Sequence, residues 1–386
     1  MTAPVFILAG EPSGDRLAAS LMKAVNDRFG QQSWIGVGGS AMRAEGLVGD
    51  IDMEALTVFG FGAALAAYPR LSRLADRLVA DIVKARPRLV VTVDVKGFSL
   101  RLAKRLKRRM SQLGWSAPVV HCVAPTVWAW GEWRRHRVAR SVDGLLCLFP
   151  FEPAYFEPLG VKAHFIGHPE AFNPIYDRLP APRSGAPLHL TLLPGSRHSE
   201  IRHLLAPMLE AFKLVRAMRP GITATIPTLP RLAPQIAASC ERHGLEQLVS
   251  VDQTDGSLFS SLDRSQAALA ASGTVTLQTA LYGVPGVACY GAPPLSAFIG
   301  RRLVRMDRVV LPNALLGREV YPFLFQEAAT PQAMADGILA VVADGDAKTR
   351  ARASARELRD LLRGGAISFE DRIAAAMADW FGRDSG

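Results

Sequence analysis

An acidic residue stands at the end of one apolar run. The stretch Val91–Phe98, VTVDVKGF, continues an apolar, β-branched segment that is typical of a buried strand, yet it contains Asp94 and then Gly97. A carboxylate at the end of a buried strand marks Asp94 as a candidate functional residue.

A second candidate lies in the loop after the first predicted strand. The strand VFILAG runs into EPSGD and then into a helix, and the N–H groups of that helix start, with Ser13 and Gly14, can hold an anionic or sugar group. The structural alternative is that Ser13 or Asp15 caps the helix. The residues alone do not choose between the two.

A similar loop occurs in the second half of the chain. LHLTLLPGSRHSE predicts a buried strand, a turn at Gly195, and then Ser196 and Arg197 at a helix start. Free N–H groups, the helix dipole and a guanidinium fork suit a diphosphate. The alternative is a capped helix with an exposed arginine, and the glycine favours the functional interpretation.

The same arrangement recurs in AALAASGTVTLQTALYG, with Ser272, Gly273 and Thr274 at the turn. Gln278 follows Thr274 by four residues and therefore shares its helix face. We expect Gln278 to face the ligand, because a core-facing amide needs buried partners.

Three other patterns carry less weight. Gly36–Ala41, GVGGSA, matches a dinucleotide-binding fingerprint, but it follows the second strand and has no acidic residue at the expected distance. Asp50–Asp52 has a D-x-D spacing, and two surface acids explain it better than a metal. The four cysteines form no C-x-x-C pair and the histidines form no ligand motif, so we expect no metal site and a reducing compartment.

The elements that position these loops alternate between strand and helix. Such alternation predicts parallel sheets, and a proline-rich segment separates two runs of it. We expect an α/β fold with two Rossmann-like domains, an interdomain cleft and a helical C-terminal tail. The predicted boundaries are 1–170, a linker at 171–186, 187–350, and a tail at 351–386 that packs back on the first domain.

Charge and hydropathy limit the partners. The 386 residues carry a net charge of +10, which favours polyanions. The basic stretches Arg101–Arg109 and 301–308, with an apolar segment at Ala55–Leu71, suit an anionic membrane surface. Nucleic acid is disfavoured because no aromatic residues interleave with the basic clusters. The N-terminus lacks the pattern of a signal peptide, and no apolar run is long enough to span a bilayer.

Several motifs together resemble one family. AGEPSGD, PTVWAW, FEP.YF...GV...FIGHP, LLPGSR..EI, ASGT.TL and LPN.L.GRE......Q occur in the order found in bacterial lipid-A-disaccharide synthases, over nearly the whole chain. The resemblance implies a two-domain inverting glycosyltransferase of the GT-B type. Its members transfer 2,3-diacylglucosamine from UDP to the 6-hydroxyl of 2,3-diacylglucosamine 1-phosphate, without metal or cofactor, at the cytoplasmic face of the inner membrane. A homodimer is compatible with it.

The resemblance also implies roles for particular residues. Asp94 matches the general base, and the first loop matches the acceptor side through Glu11, Ser13 and Gly14. The remaining matches lie near the UDP-sugar, with Gly195, Ser196, Arg197, Ser272, Gly273, Thr274 and Gln278 joined by Asn313, Arg318, Glu319 and Gln326.

The chain departs from the family pattern at two places. The family often has DSPDFN or DAPDFN where this chain has DVKGFS, so Gly97 and Ser99 replace an acid and an asparagine. Gln278 stands where the family has a glutamate that commonly binds ribose hydroxyls. These departures leave open a different two-domain sugar-nucleotide enzyme, such as a UDP-sugar 2-epimerase, or a non-catalytic lipid- or nucleotide-binding relative.

Overall fold

The computed structural model describes residues 3–56, 61–177, 188–291 and 308–382, with backbone only at 61–66. Much of the linker expected at 171–186, part of the apolar segment Ala55–Leu71 and nearly all of the basic stretch 301–308 lie outside the described residues. The chain divides into two units, one formed by Met1–Phe172 with Leu362–Gly386 and the other by Asn173–Leu361.

The first unit contains a seven-stranded parallel sheet with the order β3-β2-β1-β4-β5-β6-β7. The strands are β1 Val5–Ala9, β2 Trp34–Val37, β3 Leu47–Val48, β4 Leu89–Val93, β5 Val119–Cys122, β6 Gly144–Cys147 and β7 Lys162–Phe165. The α-helices up to residue 172 are α1 Pro12–Phe29, α2 Ser40–Ala44, α3 Phe61–Ala85, α4 Lys96–Gln112 and α5 Arg135–Ala139. Short 3₁₀ helices lie at Met53–Leu56, Glu132–Arg134, Pro153–Tyr155, Glu157–Leu159 and Pro169–Phe172.

The second unit contains a six-stranded parallel sheet with the order β10-β9-β8-β11-β12-β13. The strands are β8 His189–Leu193, β9 Thr223–Pro227, β10 Val249–Asp252, β11 Ala267–Ala271, β12 Gly286–Tyr290 and β13 Phe323–Phe325. The helices are α6 His198–Met218, α7 Ala233–Arg242, α8 Ser257–Arg264, α9 Thr274–Leu281, α10 Leu311–Leu316, α11 Pro331–Ala343 and α12 Ala347–Arg363, with 3₁₀ helices at Pro174–Asp177 and Gln326–Ala328.

The expected α/β fold with two Rossmann-like domains is confirmed by these sheets. Every residue of β1 and β4 is buried, as expected for parallel strands covered by helices on both faces. One face of the first sheet packs against α1 and the other against α3 and α4. The second sheet has a core built largely with α6, α7 and α11.

The C-terminal tail is divided between the units. Helix α12 belongs to the second unit except for its last residues, and a final helix, α13 Phe369–Phe381, belongs to the first. Ile373 and Met377 of α13 are fully buried in the core that α1 shares, and Phe381 stacks on Phe29 with ring centroids 5.5 Å apart. Among the residues that the structure describes, no helix has the length and apolar character needed to cross a bilayer.

Candidate active site

In each sheet, successive strands along the chain are added first on one side of the first strand and then on its other side, so each sheet has one point at which the strand order reverses. In the first unit this point lies between β1 and β4, and in the second between β8 and β11. Ligands of open α/β sheets bind beyond the carboxyl ends of the strands at such a point. The first unit places the EPSGD loop and Asp94 there, and the second places the loops that begin at Gly195 and Ser272.

The first loop and Asp94 leave the sheet side by side. Ala9 and Val93 are register partners at the ends of β1 and β4. A methyl group on Gly14 would lie 3.8 Å from the Asp94 Cβ, and one on Gly10 would collide with Val95. The absence of a side chain at Gly10 therefore allows the loop to approach the turn at Asp94 and Val95 closely, whereas a methyl group on Gly14 would make only an ordinary contact with the half-buried Asp94.

The backbone at Asp94 is held in an unusual conformation. Asp94 and Val95 have φ values of 52° and 44°, a region that β-branched residues rarely adopt. The Asp94 N–H donates to the Cys122 carbonyl (3.0 Å), and the buried Ser99 hydroxyl donates to the Asp94 carbonyl (2.8 Å). Backbone strain of this kind persists where the surroundings fix it, often at functional sites. Ser99, one of the two departures near the base, thus supports the turn that presents Asp94.

The remaining residues of the EPSGD loop divide into exposed and structural groups. Glu11 and Ser13 are exposed, and no side chain caps α1, so the capping alternative for Ser13 is wrong. Asp15 is 4% exposed and accepts hydrogen bonds from the N–H groups of Gly39 (2.7 Å), Ala41 (3.0 Å) and Met42 (3.2 Å). Asp15 therefore caps α2 rather than α1, so the capping alternative for Asp15 is wrong as well. It also occupies N–H groups that a dinucleotide would need at the GVGGSA loop.

A buried acid joins two motifs whose roles the sequence did not reveal. Glu152 is 2% exposed and accepts hydrogen bonds from the Trp128 indole (3.0 Å) and from the N–H groups of Leu148 and Phe149 (both 3.1 Å). Burial raises the pKa of Glu152 to about 7, against the opposing effect of these hydrogen bonds. The bond to Trp128 links the PTVWAW loop to the FEP loop.

In the second unit, a cavity of about 570 Å³ lies at the carboxyl edge of the sheet. All seven residues singled out in the two loops line it, namely Gly195, Ser196, Arg197, Ser272, Gly273, Thr274 and Gln278. Thr228, Gln253, Thr254 and Phe259 also line it and were missed. They lie on or beside the connections after β9 and β10, and no glycine-rich pattern marks them in the sequence.

The loop at Gly195 already contains an internal anion. The Glu200 carboxylate accepts from the N–H groups of Ser196 (2.9 Å) and Arg197 (3.3 Å) and from the Arg197 guanidinium (2.9 Å). Gly195 has a φ of 116°, and a side chain there would collide with Glu200. The N–H groups expected to bind a diphosphate are thus occupied by Glu200. The Arg197 guanidinium is exposed although its Nη1 is paired with Glu200, and it is the main polar group that this loop offers to a ligand.

The loop at Ser272 leaves its N–H groups available. Ser272 is fixed by its N–H, which donates to the Cys289 carbonyl (2.7 Å), and by its hydroxyl, which donates to the Val309 carbonyl (2.9 Å). The N–H groups of Gly273 and Thr274 have no acceptor among the described residues. They begin α9, whose dipole favours an anion at this end. Gln278 follows one turn later and is half-buried.

The four residues expected from the LPN.L.GRE......Q motif do not line this cavity. The Asn313 amide donates to the Tyr321 carbonyl (2.8 Å) and accepts from the N–H groups of Val320 and Tyr321 (both 3.0 Å). Arg318 pairs with Glu357 at 2.6 Å. Glu319 is exposed and Gln326 follows β13 with a φ of 55°. Their role in UDP-sugar binding stays a prediction.

No group of three or more His, Cys, Asp or Glu side chains suited to a metal ion occurs within the described part of the chain.

Comparison with known proteins shows the family. The model of the lipid-A-disaccharide synthetase family matches residues 5–377. A lipid-A-disaccharide synthase of Paramagnetospirillum magneticum is 35% identical over 390 residues, which cover 97% of each chain.

Solved structures share the fold at low sequence identity. A putative UDP-N-acetylglucosamine 2-epimerase from Listeria monocytogenes superposes with a TM-score of 0.64 at 13% identity, over 99% of this chain and 97% of its own. The lipopolysaccharide outer core galactosyltransferase WaaB gives 0.56 at 11% identity, over 97% and 99%. An epimerase and a transferase share this fold, so the likeness does not choose a reaction. The match to the family model does choose a reaction, and it confirms the resemblance drawn from the motifs: the chain belongs to the lipid-A-disaccharide synthetase family.

Proposed function

We propose that this chain joins two acylated glucosamines with Asp94 as the general base and the cavity of the second unit as the UDP site. As a member of its family, the chain is a hexosyltransferase of lipid A biosynthesis. It transfers 2,3-diacylglucosamine from UDP to 2,3-diacylglucosamine 1-phosphate, giving the β-1,6 disaccharide 1-phosphate and UDP. The family match over residues 5–377 is the observation that carries this function.

The chemistry at the acceptor requires one proton transfer. The oxygen of the acceptor 6-hydroxyl attacks the anomeric carbon of the donor from the face opposite UDP. The bond from that carbon to the diphosphate breaks, its electron pair leaves with UDP, and Asp94 takes the hydroxyl proton. Glu11, Ser13 and Gly14 are assigned to the acceptor because their loop adjoins Asp94 at the carboxyl edge. Positioned proton transfer contributes about 10²- to 10⁴-fold in rate.

The leaving UDP requires positive charge and hydrogen-bond donors. We assign its diphosphate to the N–H groups of Gly273 and Thr274 and to the Arg197 guanidinium, which line one cavity. Such preorganised donors stabilise developing negative charge without a bound metal. Gln278, at the cavity wall, is assigned to the ribose. Ser196 and Gly195 shape the loop that carries Arg197. We assign contact with the sugar or the rest of the donor to the four residues of the LPN.L.GRE......Q motif, Asn313, Arg318, Glu319 and Gln326.

The setting of the reaction follows from the substrates. Both sugars carry acyl chains, so we propose that the protein works as a peripheral protein on the anionic, cytoplasmic face of the inner membrane. Its net charge of +10 suits such a surface. We further propose that it acts without nucleic acid or cofactor, and that it forms a homodimer.

The test is release of UDP from the two purified substrates in the presence of EDTA. The wild-type protein should release UDP, and Asp94→Asn should lower the rate by about 10²- to 10⁴-fold while the fold is retained. Asp50→Asn is the matched control, because Asp50 is an exposed acid paired with Arg77. Near-normal turnover by a folded Asp94→Asn protein would show that Asp94 is not the base.

A further inference from the structure

Glu200 places a negative charge in the wall of the cavity proposed for UDP. It is the third residue of α6, and its side chain, which is 25% exposed, lines that cavity together with Arg197 and the start of α9. The UDP diphosphate is also an anion, and like charges repel more strongly where water is partly excluded. The charge of Glu200 therefore acts against the ligand to which the other polar groups of the cavity are suited.

The Glu200 carboxylate uses both of its oxygens on the loop Gly195–Arg197. Oε2 accepts from the N–H groups of Ser196 (2.9 Å) and Arg197 (3.3 Å), and Oε1 accepts from the Arg197 Nη1 (2.9 Å). Backbone N–H groups at a helix start and a guanidinium are also the donors that bind phosphate oxygens. A diphosphate bound at this loop would therefore compete with Glu200 for the same donors.

Arg197 is able to exchange one anion for the other. Its side chain is 79% exposed, and an ion pair open to water contributes little free energy, so Glu200 holds the guanidinium weakly. The bond to Glu200 uses Nη1, whereas a guanidinium carries five N–H donors. A diphosphate has more negative charge and more acceptor oxygens than one carboxylate, so it can draw Arg197 away from Glu200.

The shape of the loop does not depend on the charge of Glu200. The Arg231 Nη2 donates to the Ser196 carbonyl (3.2 Å), which belongs to the same peptide group as the Arg197 N–H. The first turns of α6 are held in the core of the second unit by the buried Ile201 and Leu204. A glutamine at position 200 keeps an acceptor oxygen for the N–H groups, as in capping boxes that contain glutamine. Glu200→Gln therefore removes the charge and retains most of the local structure.

We propose that Glu200 competes with the diphosphate for Arg197 and so lowers the affinity for UDP, the product that must leave before the next turnover. This inference rests on the proposed function, which assigns UDP to this cavity. When UDP binds, Arg197 turns from the carboxylate to the phosphates, and when UDP leaves, Glu200 takes Arg197 back. Because the competition concerns the phosphates alone, binding of a nucleoside without phosphate does not depend on the charge of Glu200.

The experiment measures the dissociation constants of UDP and uridine for the full-length protein by calorimetry. Glu200→Gln should bind UDP about threefold to tenfold more tightly than the wild type and should bind uridine equally well. The difference in UDP affinity should shrink at high salt, because salt screens charges near the surface. Glu210→Gln removes the same charge from α6, about 15 Å further along the helix and outside the cavity lining, and should bind both ligands like the wild type.

Three results would overturn the proposal. Weaker binding of UDP by Glu200→Gln would mean that Glu200 holds Arg197 in place for the diphosphate. An unchanged affinity for UDP would mean that the two anions do not share donors. An equal change for UDP and uridine would mean that Glu200 shapes the cavity and does not act on the phosphates. Failure of the proposed UDP site is distinct, because the wild-type protein would then bind no UDP.

Discussion

The buried carboxyl of Glu152 should make the stability of the first unit depend on pH. Burial raises its pKa from 4.5 to about 7 in the folded protein. The folded state therefore holds the proton more tightly than the unfolded state. The resulting stability is fully present below about pH 4.5 and is lost as the pH rises through about 7.

The size of the effect follows from the difference in pKa. A difference of about 2.5 units corresponds to about 3 kcal/mol in total, of which about 2.5 kcal/mol disappears between pH 5 and pH 8. Glu152→Gln removes the titrating group. It also weakens the bonds to Trp128, Leu148 and Phe149 at every pH, since an amide offers one acceptor oxygen. The free energy of unfolding of the wild type should therefore exceed that of the variant most at pH 5 and least at pH 8.

The assay is urea unfolding at several pH values between 5 and 8. All six tryptophans belong to the first unit, at positions 34, 115, 128, 130, 133 and 380, so their fluorescence reports on this unit. Glu157→Gln, an exposed substitution five residues away, is the matched control and should follow the wild-type pH dependence. If wild type and Glu152→Gln differ by the same free energy of unfolding at pH 5 and pH 8, the reasoning is refuted.

Two further substitutions test the assignments around the loops. Gln278→Glu should tighten UDP binding by about 1 to 2 kcal/mol, because a carboxylate makes stronger hydrogen bonds to ribose hydroxyls than an amide does. The affinity is measured by calorimetry, and unchanged or weaker binding would exclude Gln278 as the ribose contact. Asp15→Ala should destabilise the first unit by about 3 kcal/mol in urea, because the buried carboxylate accepts from the N–H groups of Gly39, Ala41 and Met42. Asp27→Ala, which removes only an exposed ion pair with Lys23, is the control, and an equal loss in the two variants would contradict the role of Asp15.

The sequence by itself determined which segments form the sheets and which loops carry polar groups. Strand and helix follow from the local spacing of apolar residues, and turns follow from glycine and proline, so these features are readable over a few residues. This is why Asp94, Gly195 and Ser272 could be placed at strand ends. The motifs, in the order in which they occur along the chain, also indicated the family.

The tertiary structure decided which of these polar groups lie close together and which of their hydrogen-bond donors are already bonded within the protein. Asp15 binds N–H groups 24 to 27 residues away, and Arg318 pairs with Glu357, 39 residues away. Glu200 turns back on the Gly195 loop and takes the donors that had been assigned to a diphosphate. Such contacts depend on strand order and side-chain direction, which no local pattern encodes. The order of strands alone brings the EPSGD loop to Asp94 and the Gly195 loop to Ser272.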